Sequence, residues 1–235
     1  MITGSLVALV TPMHPNGDIH WEDLDKLVDF HIENGTHGIV AVGTTGESAT
    51  LDPEEHCQTI GHIIKRVNGR IPVIAGTGGN STREAIELTA EAHKLGADAC
   101  LLVVPYYNKP PQEGLYRHFK AIAEKVDLPC IVYNVTSRTS LNMTDETTIR
   151  LSEIDNIVGV KEAGSDLDQI TRIIDGAKPG FLVWSGNDNE TFYIMGAGGY
   201  GIVSVASHLV GNQIKAMMGM ILEGDIERAA AEQMQ

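Results

Sequence analysis

A lysine at the end of a short apolar run is the residue of this sequence best placed to do chemistry. The run is Asn156-Ile-Val-Gly-Val-Lys161-Glu-Ala, and its aliphatic content is typical of a buried parallel strand. Side chains alternate along a strand, so we expect Val158 and Val160 to share one face and Gly159 and Lys161 the other. If the valines face a shell of helices, Lys161 points inward, above a glycine that leaves it room.

Two kinds of lysine fit this position. A lysine desolvated at the carboxyl end of a buried strand has a lowered pKa and can form a Schiff base with a carbonyl compound. The structural alternative is a lysine that extends its amine into solvent, since charged residues are seldom fully buried. The other residues near the strand ends must decide between the two.

A second polar segment, Gly43-Thr-Thr-Gly-Glu-Ser48, follows another predicted strand. Its two hydroxyls, on Thr44 and Thr45, are flanked by glycines. Exposed backbone N–H groups in such a turn form a nest that can hold a carboxylate. The alternative is a turn that is merely rich in hydroxyls.

Two more side chains belong to a third strand and the segment after it. Tyr133 ends that strand with the same inward parity as Ile131, which suits either a reacting phenol or a core tyrosine with a satisfied hydroxyl. Arg138, in the following loop, could form a forked pair with a substrate carboxylate or could simply be exposed.

The common sequence patterns for cofactor and metal binding do not support either kind of site in this chain. The stretch Gly196-Ala-Gly-Gly-Tyr-Gly201 matches G-x-G-x-x-G, but it follows a helix and precedes a strand, the reverse of a dinucleotide site. The stretch Gly76-Thr-Gly-Gly-Asn-Ser81 lacks the third glycine and suits a tight loop. The nine histidines show no metal-ligand spacing. We therefore expect neither a metal nor a bound cofactor.

A strand pattern followed by a helix pattern occurs eight times, and these elements must position the polar residues. The predicted strands are 5–10, 38–42, 71–75, 99–104, 129–133, 157–161, 181–185 and 201–205. The predicted helices are 21–34, 53–67, 81–95, 112–126, 144–154, 167–176, 190–197 and 209–222. This series predicts a (β/α)8 TIM barrel, whose functional residues lie at the carboxyl ends of the strands. A doubly wound open sheet is the alternative, but it would more often carry fewer strands and a nucleotide fingerprint.

The composition limits the possible partners. The chain has 235 residues, of which 43% are hydrophobic, and a formal net charge of -14, which argues against binding to nucleic acid or to anionic membranes. Cys57, Cys100 and Cys130 show no C-x-x-C spacing, which indicates buried thiols in a reducing compartment. The apolar start lacks a basic leader and is too short to span a membrane, so we expect a cytoplasmic location.

The end of the sequence carries one more pattern. Residues 1–224 contain the predicted barrel, and residues 225–235 begin a further helix without a terminator. We therefore expect a catalytic barrel followed by only the start of a helical C-terminal region.

Four motifs in order give the chain a resemblance to a known family. They are Gly43-Thr-Thr-Gly-Glu-Ser48, Pro105-Tyr-Tyr-Asn108, Tyr133-Asn-Val with Ser137-Arg-Thr139, and Gly159-Val-Lys-Glu162. Together they resemble the dihydrodipicolinate synthase family, within the N-acetylneuraminate lyase superfamily of class I aldolases, over residues 4–224. The resemblance implies condensation of pyruvate with L-aspartate 4-semialdehyde to 4-hydroxy-tetrahydrodipicolinate, the first committed step of lysine and diaminopimelate biosynthesis.

The resemblance also implies roles for individual residues. Lys161 would form the imine with pyruvate, and Tyr133 would transfer protons. Thr44 would link Tyr133 to Tyr107, which in that family comes from the neighbouring subunit of a homodimer or homotetramer. The residues implied to bind substrate or line its pocket are Thr45, Arg138, Gly186 and Val203.

Arg138 favours the synthase over its relatives. A sialic acid lyase or keto-deoxy-sugar acid aldolase would keep the lysine and tyrosine but has no need of a guanidinium for a small amino acid. A catalytically silent binding relative is the non-enzyme alternative. The chain departs from the family at Thr136, where proline is usual, which frees one φ angle and restores an N–H.

The resemblance implies a second possible site, for feedback inhibition by lysine. The matching positions are Ser48, Ala49, His56, Asn80, Glu84 and Tyr106. Glu84 also has a purely structural explanation, as the partner of Ser81 in a capping box. Pro53 departs from the histidine seen in some regulated members.

Overall fold

A computed structural model describes residue 2 and residues 4–234, and within them eight parallel strands close into a barrel. In chain order the strands are β1 (Gly4–Ala8), β2 (Gly38–Ala41), β3 (Val73–Gly76), β4 (Ala99–Val103), β5 (Cys130–Asn134), β6 (Ile157–Glu162), β7 (Leu182–Ser185) and β8 (Gly201–Ser204). Each strand pairs with its neighbours in the sequence, and β8 pairs with β1. The predicted TIM barrel is confirmed.

The helices follow the strands as predicted, with ends that shift by a few residues. They are α1 (Trp21–Glu33), α2 (Pro53–Val67), α3 (Thr82–Leu95), α4 (Gln112–Ala123), α5 (Thr136–Thr139), α6 (Asp145–Ser152), α7 (Leu167–Gly176), α8 (Thr191–Gly196), α9 (Ser207–Glu223) and α10 (Ile226–Gln233). The short helix α5 is not among the predicted elements. Helix α10 corresponds to the helix expected to begin at residue 225.

Local signals in the sequence explain where two of these helices begin. The Asp52 side chain accepts a hydrogen bond from the Glu55 N–H at 2.9 Å, and Pro53 occupies the first turn of α2. The Ser81 hydroxyl accepts from the Glu84 N–H at the start of α3. This is the Ser81 half of the predicted capping box.

Apolar side chains fill the barrel and separately join it to the helices. The inner cluster, which fills the barrel, includes Leu6, Val40, Ile74, Leu101, Ile131, Tyr133, Trp184 and Val203. The largest outer cluster joins β4, β5 and β6 to the surrounding helices and includes Leu102, Phe119, Val132, Val160 and Ile173. Val160 therefore faces the helical shell, as expected.

A bulge in β6 corrects one prediction about that strand. Cys130 pairs with Ile157, but Ile131 pairs with Gly159, so Val158 is an extra residue in the ladder. The expectation that Val158 shares a face with Val160 is wrong, because Val158 packs against the inner cluster.

Gly159 also faces inward, but its role differs from the one expected. A Cβ on Gly159 would lie 2.3 Å from the Leu182 carbonyl oxygen and 2.5 Å from the Trp184 ring, so the glycine leaves room for the neighbouring strand and for that indole. The space below the lysine is therefore filled by a tryptophan side chain.

In residue 2 and residues 4–234, no helix has both the length and the apolar character needed to cross a membrane.

Candidate active site

Lys161 and Tyr133 form the centre of the candidate site, at the carboxyl ends of β6 and β5. The two residues are direct partners in the ladder, and both side chains face the barrel interior. The Lys161 Nζ atom lies 4.2 Å from the centroid of the Tyr133 ring. Lys161 is only 4% exposed, so its amine is not directed into solvent. The structure thus favours the buried lysine over the strand-end alternative.

Burial lowers the pKa of Lys161 to about 8, because desolvation penalises the charged form. The negative charge of Asp188 partly opposes this effect. Asp188 accepts hydrogen bonds from the Ser204 hydroxyl and from the Ala206 N–H, the latter at 3.1 Å. With this pKa, a significant fraction of the amine is neutral near pH 7, and the neutral form can act as a nucleophile.

Gly186 provides the space that the lysine chain occupies. A Cβ at this position would lie 3.1 Å from the Lys161 Cε atom and 2.7 Å from the Ala163 Cβ atom. Its own N–H donates to the Glu162 carbonyl at 2.7 Å. Val203, on the neighbouring strand β8, is 1% exposed and belongs to the inner cluster. Gly186 therefore contacts the lysine directly, and Val203 contributes to the packed interior.

Tyr133 is held as a protonated phenol. Burial raises its pKa to about 12, although the charge of Arg138 and a hydrogen bond with the Thr44 side chain both lower it. These interactions place Tyr133, Thr44 and Arg138 together at one end of the barrel. A phenol that bonds to a hydroxyl and lies beside an amine can pass a proton in either direction.

The segment after β2 owes its shape to an unusual backbone conformation. Val42 has φ +52°, which is rare for a β-branched residue and marks a strained turn. Within the turn, the Glu47 N–H donates to the Thr44 carbonyl, and the Ser48 N–H donates to the Gly43 carbonyl. Thr44 is exposed, and Thr45 is half-buried.

Arg138 lies on α5, which is one turn of helix and not an open loop. The Arg138 N–H donates to the Val135 carbonyl at 2.9 Å, and the Thr139 hydroxyl donates to the same carbonyl at 3.1 Å. Thr136 is the first residue of this helix, a position that accepts proline because its N–H has no partner within the helix. The exchange of proline for threonine therefore removes no helical hydrogen bond.

Tyr107 is the predicted catalytic residue that the single chain does not bring to the site. It is 90% exposed and has φ +67° in the segment between β4 and α4. Among the described residues, it forms no hydrogen bond with Thr44 or Tyr133. Its predicted role stays a prediction that depends on a neighbouring subunit.

The residues matched to a lysine inhibitor site lie in one region. The His56 ring bonds to the Gly76 carbonyl at 2.7 Å, and the pKa of His56 is lowered by burial and raised less strongly by Gly76, Glu84 and Ser48. Burial and the charge of Glu84 raise the pKa of Tyr106. The other two members are Asn80, whose carbonyl accepts from the Asn108 side chain, and the exposed Ala49.

Two residues beside the predicted catalytic pair have no role assigned to them from the sequence. Glu162 and Asn134 are both 0% exposed, and their side chains bond to each other at 2.7 Å. Each directly follows a predicted catalytic residue in the sequence, and this adjacency is the one feature that could have pointed to them. Across residue 2 and residues 4–234, no group of three or more histidine, cysteine, aspartate or glutamate side chains is arranged to hold a metal ion.

Comparison with known proteins places the chain in a family. The sequence model described as the dihydrodipicolinate synthetase family matches residues 1–235. A 4-hydroxy-tetrahydrodipicolinate synthase from Marinobacter nauticus is 71% identical over 210 residues, which are 89% of this chain and 72% of that protein.

Two solved structures support the same assignment. A dihydrodipicolinate synthase from Acinetobacter baumannii, solved with pyruvate, has a TM-score of 0.96 and 50% identity, and the match covers 99% of this chain and 80% of that one. A homologue from Cyanidioschyzon merolae, solved with lysine bound, has a TM-score of 0.96 and 43% identity over 99% of this chain and 80% of that one. The family resemblance seen in the motifs is confirmed, and the chain belongs to the dihydrodipicolinate synthetase family.

Proposed function

We propose that the chain is a lyase that condenses pyruvate with L-aspartate 4-semialdehyde to 4-hydroxy-tetrahydrodipicolinate, in lysine and diaminopimelate biosynthesis. The observation that carries the proposal is the buried Lys161 amine, which lies 4.2 Å from the Tyr133 ring and has its pKa lowered to about 8. The names of the family relatives and the pyruvate complex of one of them support the same reaction.

The first half of the reaction forms a nucleophile on the lysine. Neutral Lys161 attacks the pyruvate carbonyl carbon, and the carbinolamine loses water to leave a protonated imine. This positive imine accepts the electron pair of the C3–H bond when the C3 proton leaves, which gives an enamine. Tyr133, bonded to Thr44, is the proposed carrier of protons in these steps.

The second half joins the two substrates and frees the enzyme. The enamine carbon attacks the aldehyde carbon of aspartate semialdehyde, which restores the imine. The amino group of the product then attacks the imine carbon and displaces Lys161, so the ring closes and the lysine regains its amine. The chemistry requires no metal and no cofactor beyond the lysine–pyruvate imine.

The remaining residues hold the substrates in this proposal. Thr45 and the backbone turn around it bind the pyruvate carboxylate, and Arg138 binds the carboxylate of the second substrate. Gly186 and Val203 shape the pocket. Tyr107 completes the proton path from a second copy of the chain in a homodimer or homotetramer, a role that its 90% exposure in the single chain permits.

Trapping with borohydride tests the reaction class. Unlabelled and 13C-labelled pyruvate are incubated with the protein, borohydride is added, and the adduct is mapped by mass spectrometry. A pyruvyl group on Lys161 is the expected result. An unmodified Lys161 would contradict the aldolase chemistry and favour a silent binding relative.

A coupled assay then tests the second substrate. Aspartate semialdehyde is offered in parallel with sialic acid, and we expect turnover only with the semialdehyde. Arg138→Ala should raise the KM for the semialdehyde and leave the pyruvate adduct on Lys161 intact. Turnover of sialic acid alone would instead identify the protein as a sialic acid lyase of the same superfamily.

Inhibition by lysine is a further part of the proposal. The cluster of His56, Glu84 and Tyr106 supports it, as does the lysine complex of the Cyanidioschyzon merolae homologue. Titrating the activity with lysine should give a saturable loss that Glu84→Gln weakens. If lysine leaves the activity unchanged, the proposed inhibition is wrong, but the proposed catalytic reaction is unaffected.

A cytoplasmic location completes the proposal. Its support is that Cys57, Cys100 and Cys130 are free thiols, as expected in a reducing compartment.

A further inference from the structure

A second pair of residues stands directly behind the catalytic pair. Tyr133 pairs with Lys161 in the ladder, and the next residues along the same strands, Asn134 and Glu162, pair with each other. Because side chains alternate along a strand, the first pair faces the barrel interior and the second faces the helices. Asn134 and Glu162 are both 0% exposed.

Hydrogen bonds join this outer pair across the two strand ends. The Asn134 Nδ2 atom donates to the Glu162 Oε1 atom at 2.7 Å, and the Gly164 N–H donates to the same oxygen at 3.0 Å. The Ala163 N–H donates to the Asn134 carbonyl at 2.9 Å. The ends of β5 and β6 are therefore tied together by side chains as well as by the backbone.

The same amide reaches the segment before α6 and the start of α7. Asn134 also donates to the Asn142 side chain at 2.7 Å and accepts from the Met143 N–H at 3.0 Å. The Asn142 amide donates to the Gln169 side chain at 2.7 Å. Asn142 and Met143 lie just before α6 and Gln169 lies in α7, so these bonds connect the strand ends to the helical layer around the barrel.

Glu162 is an unusual choice for this place. Its second oxygen, Oε2, is buried and has no hydrogen-bond partner among the described residues. A buried polar atom without a partner destabilises the folded state, so Oε2 carries a cost. The Oε1 atom offsets part of that cost by accepting from Asn134 and Gly164, two donors that an apolar side chain would leave with one acceptor fewer. The role of the carboxyl group therefore lies in the bonds to Oε1.

We propose that Glu162 is a positioning residue, which acts through Asn134 to hold the ends of β5 and β6 so that the Tyr133 ring stays over the Lys161 amine. The inference rests on the proposed function, because this placement matters only if both residues take part in the reaction. Glu162 does not contact the reacting atoms. It acts on them through the two strands that it joins.

The close packing of Gly164 offers an independent way to disturb the pair. A Cβ at Gly164 would lie 2.8 Å from the Glu162 Oε1 atom and 3.1 Å from the Asn134 Nδ2 atom. Gly164→Ala removes no polar group, but it pushes the two side chains apart. It should therefore have the same effect as losing the carboxyl group.

The test compares Glu162→Gln, Glu162→Leu and Gly164→Ala in the full chain. Glutamine keeps an oxygen that accepts from Asn134 and Gly164, whereas leucine keeps the volume and loses the acceptor. The control is Thr89→Val, which deletes a buried hydroxyl on α3 that bonds to the Thr77 hydroxyl at 2.8 Å, away from the pair. The measurements are kcat and KM for pyruvate, the melting temperature and a crystal structure of each variant.

We expect Glu162→Leu and Gly164→Ala to lower kcat by about tenfold to a hundredfold, since displacements near 1 Å have effects of that size. The KM for pyruvate should stay unchanged, because Thr45, the proposed partner of the pyruvate carboxylate, lies in the segment after β2. Glu162→Gln and Thr89→Val should keep kcat close to that of the unsubstituted protein. In the crystal structures, only the leucine and alanine variants should lengthen the distance between the Tyr133 ring and the Lys161 Nζ atom.

Two outcomes would overturn the proposal. One is a folded Glu162→Leu variant with unchanged kcat and an unchanged distance from ring to amine. The other is a Glu162→Gln variant that is as slow as the leucine variant, which would show that the acidic proton matters and not the acceptor. If the leucine variant does not fold, Gly164→Ala decides by the same two readouts. The crystallographic distance is independent of turnover, so it separates failure of this inference from failure of the proposed reaction.

Discussion

The Lys161 amine lies over the face of the Tyr133 ring, 4.2 Å from its centroid. An ammonium group in that position gains about 0.5–2 kcal/mol from the ring, which favours the charged form. The pKa of Lys161 nevertheless falls to about 8, because loss of hydration outweighs the gain. The ring therefore helps to position the amine, but it does not keep the amine in its charged, unreactive form.

The first prediction concerns the pH dependence of imine formation. Because only the neutral amine attacks pyruvate, the rate of borohydride-trapped adduct should rise about tenfold per pH unit below pH 8 and level off above it. The measurement is the initial trapping rate at low pyruvate between about pH 6 and 9. A lysine with an ordinary pKa would instead give a rate that still climbs at the top of this range.

The second prediction assigns part of that pKa to Asp188. Its negative charge raises the pKa of Lys161, so Asp188→Asn should move the inflection of the trapping profile to lower pH. Asp145→Asn is the matched control, since Asp145 pairs with Arg172 on the outer surface of the barrel. Equal profiles for Asp188→Asn and the unsubstituted protein would show that Asp188 does not influence the amine.

The third prediction concerns the Tyr133 hydroxyl. Tyr133→Phe keeps the ring over the amine but removes the group that bonds to Thr44, so the adduct should still form while kcat falls by about 10²–10⁴-fold. Thr44→Val should lower kcat less, because it removes only the partner of the phenol. Turnover of Tyr133→Phe at the unsubstituted rate would exclude Tyr133 as the proton carrier.

The fourth prediction tests the space beside the lysine. A methyl group at Gly186 would lie 2.7 Å from the Ala163 Cβ atom and 3.1 Å from the Lys161 Cε atom. Gly186→Ala should therefore destabilise the fold by about 1–3 kcal/mol and slow adduct formation. Gly196→Ala, where nothing lies within 4 Å of the added carbon, is the control and should change neither quantity. Equal melting temperatures for the two variants would contradict the prediction.

The sequence was sufficient to predict the fold and the inward direction of Tyr133 and Lys161. Eight alternations of strand and helix predict a closed barrel, and parity along two strands places Tyr133 and Lys161 inside it. Parity failed at Val158, because a bulge depends on how two strands pair and leaves no mark in a single strand. The prediction that Lys161 faces inward is nevertheless correct, because the ladder is regular from Gly159 to Glu162.

Other features of the site depend on contacts that a linear reading does not show. Helix α5 is too short for a periodic pattern, so Arg138 was expected in a loop. The bond between Asn134 and Glu162 requires two strands that are distant in sequence to meet in one register. Tyr107 is 90% exposed in the single chain, and its predicted role in a neighbouring subunit stays a prediction.

The fifth prediction concerns stability and the buried Glu162 carboxyl. Burial raises its pKa from an ordinary value of 4.5 to about 8, against the opposing bonds from Asn134 and Gly164. The unfolded chain therefore loses this proton before the folded protein does, so folding stability falls as the pH rises from about 4.5 to 8. Integrated over that range, the loss is at most about 5 kcal/mol.

Glu162→Gln removes this dependence, because an amide does not titrate. The variant should gain stability relative to the unsubstituted protein as the pH rises toward 8, and the two should converge near pH 4.5. Urea unfolding at several pH values measures the difference. The lowered pKa of Lys161 makes stability depend on pH only between about 8 and its unfolded value of 10.5, so the two effects occupy different pH ranges. A constant difference at all pH values would contradict the prediction.

The bulge in β6 has a consequence for how the barrel tolerates changes in chain length. Cys130 pairs with Ile157 and Ile131 with Gly159, so the ladder on either side of Val158 is already in the register that it would have without that residue. Deleting Val158 would restore a regular ladder and leave Lys161 facing inward. The base of this strand can therefore lose a residue without reversing the direction in which Lys161 points.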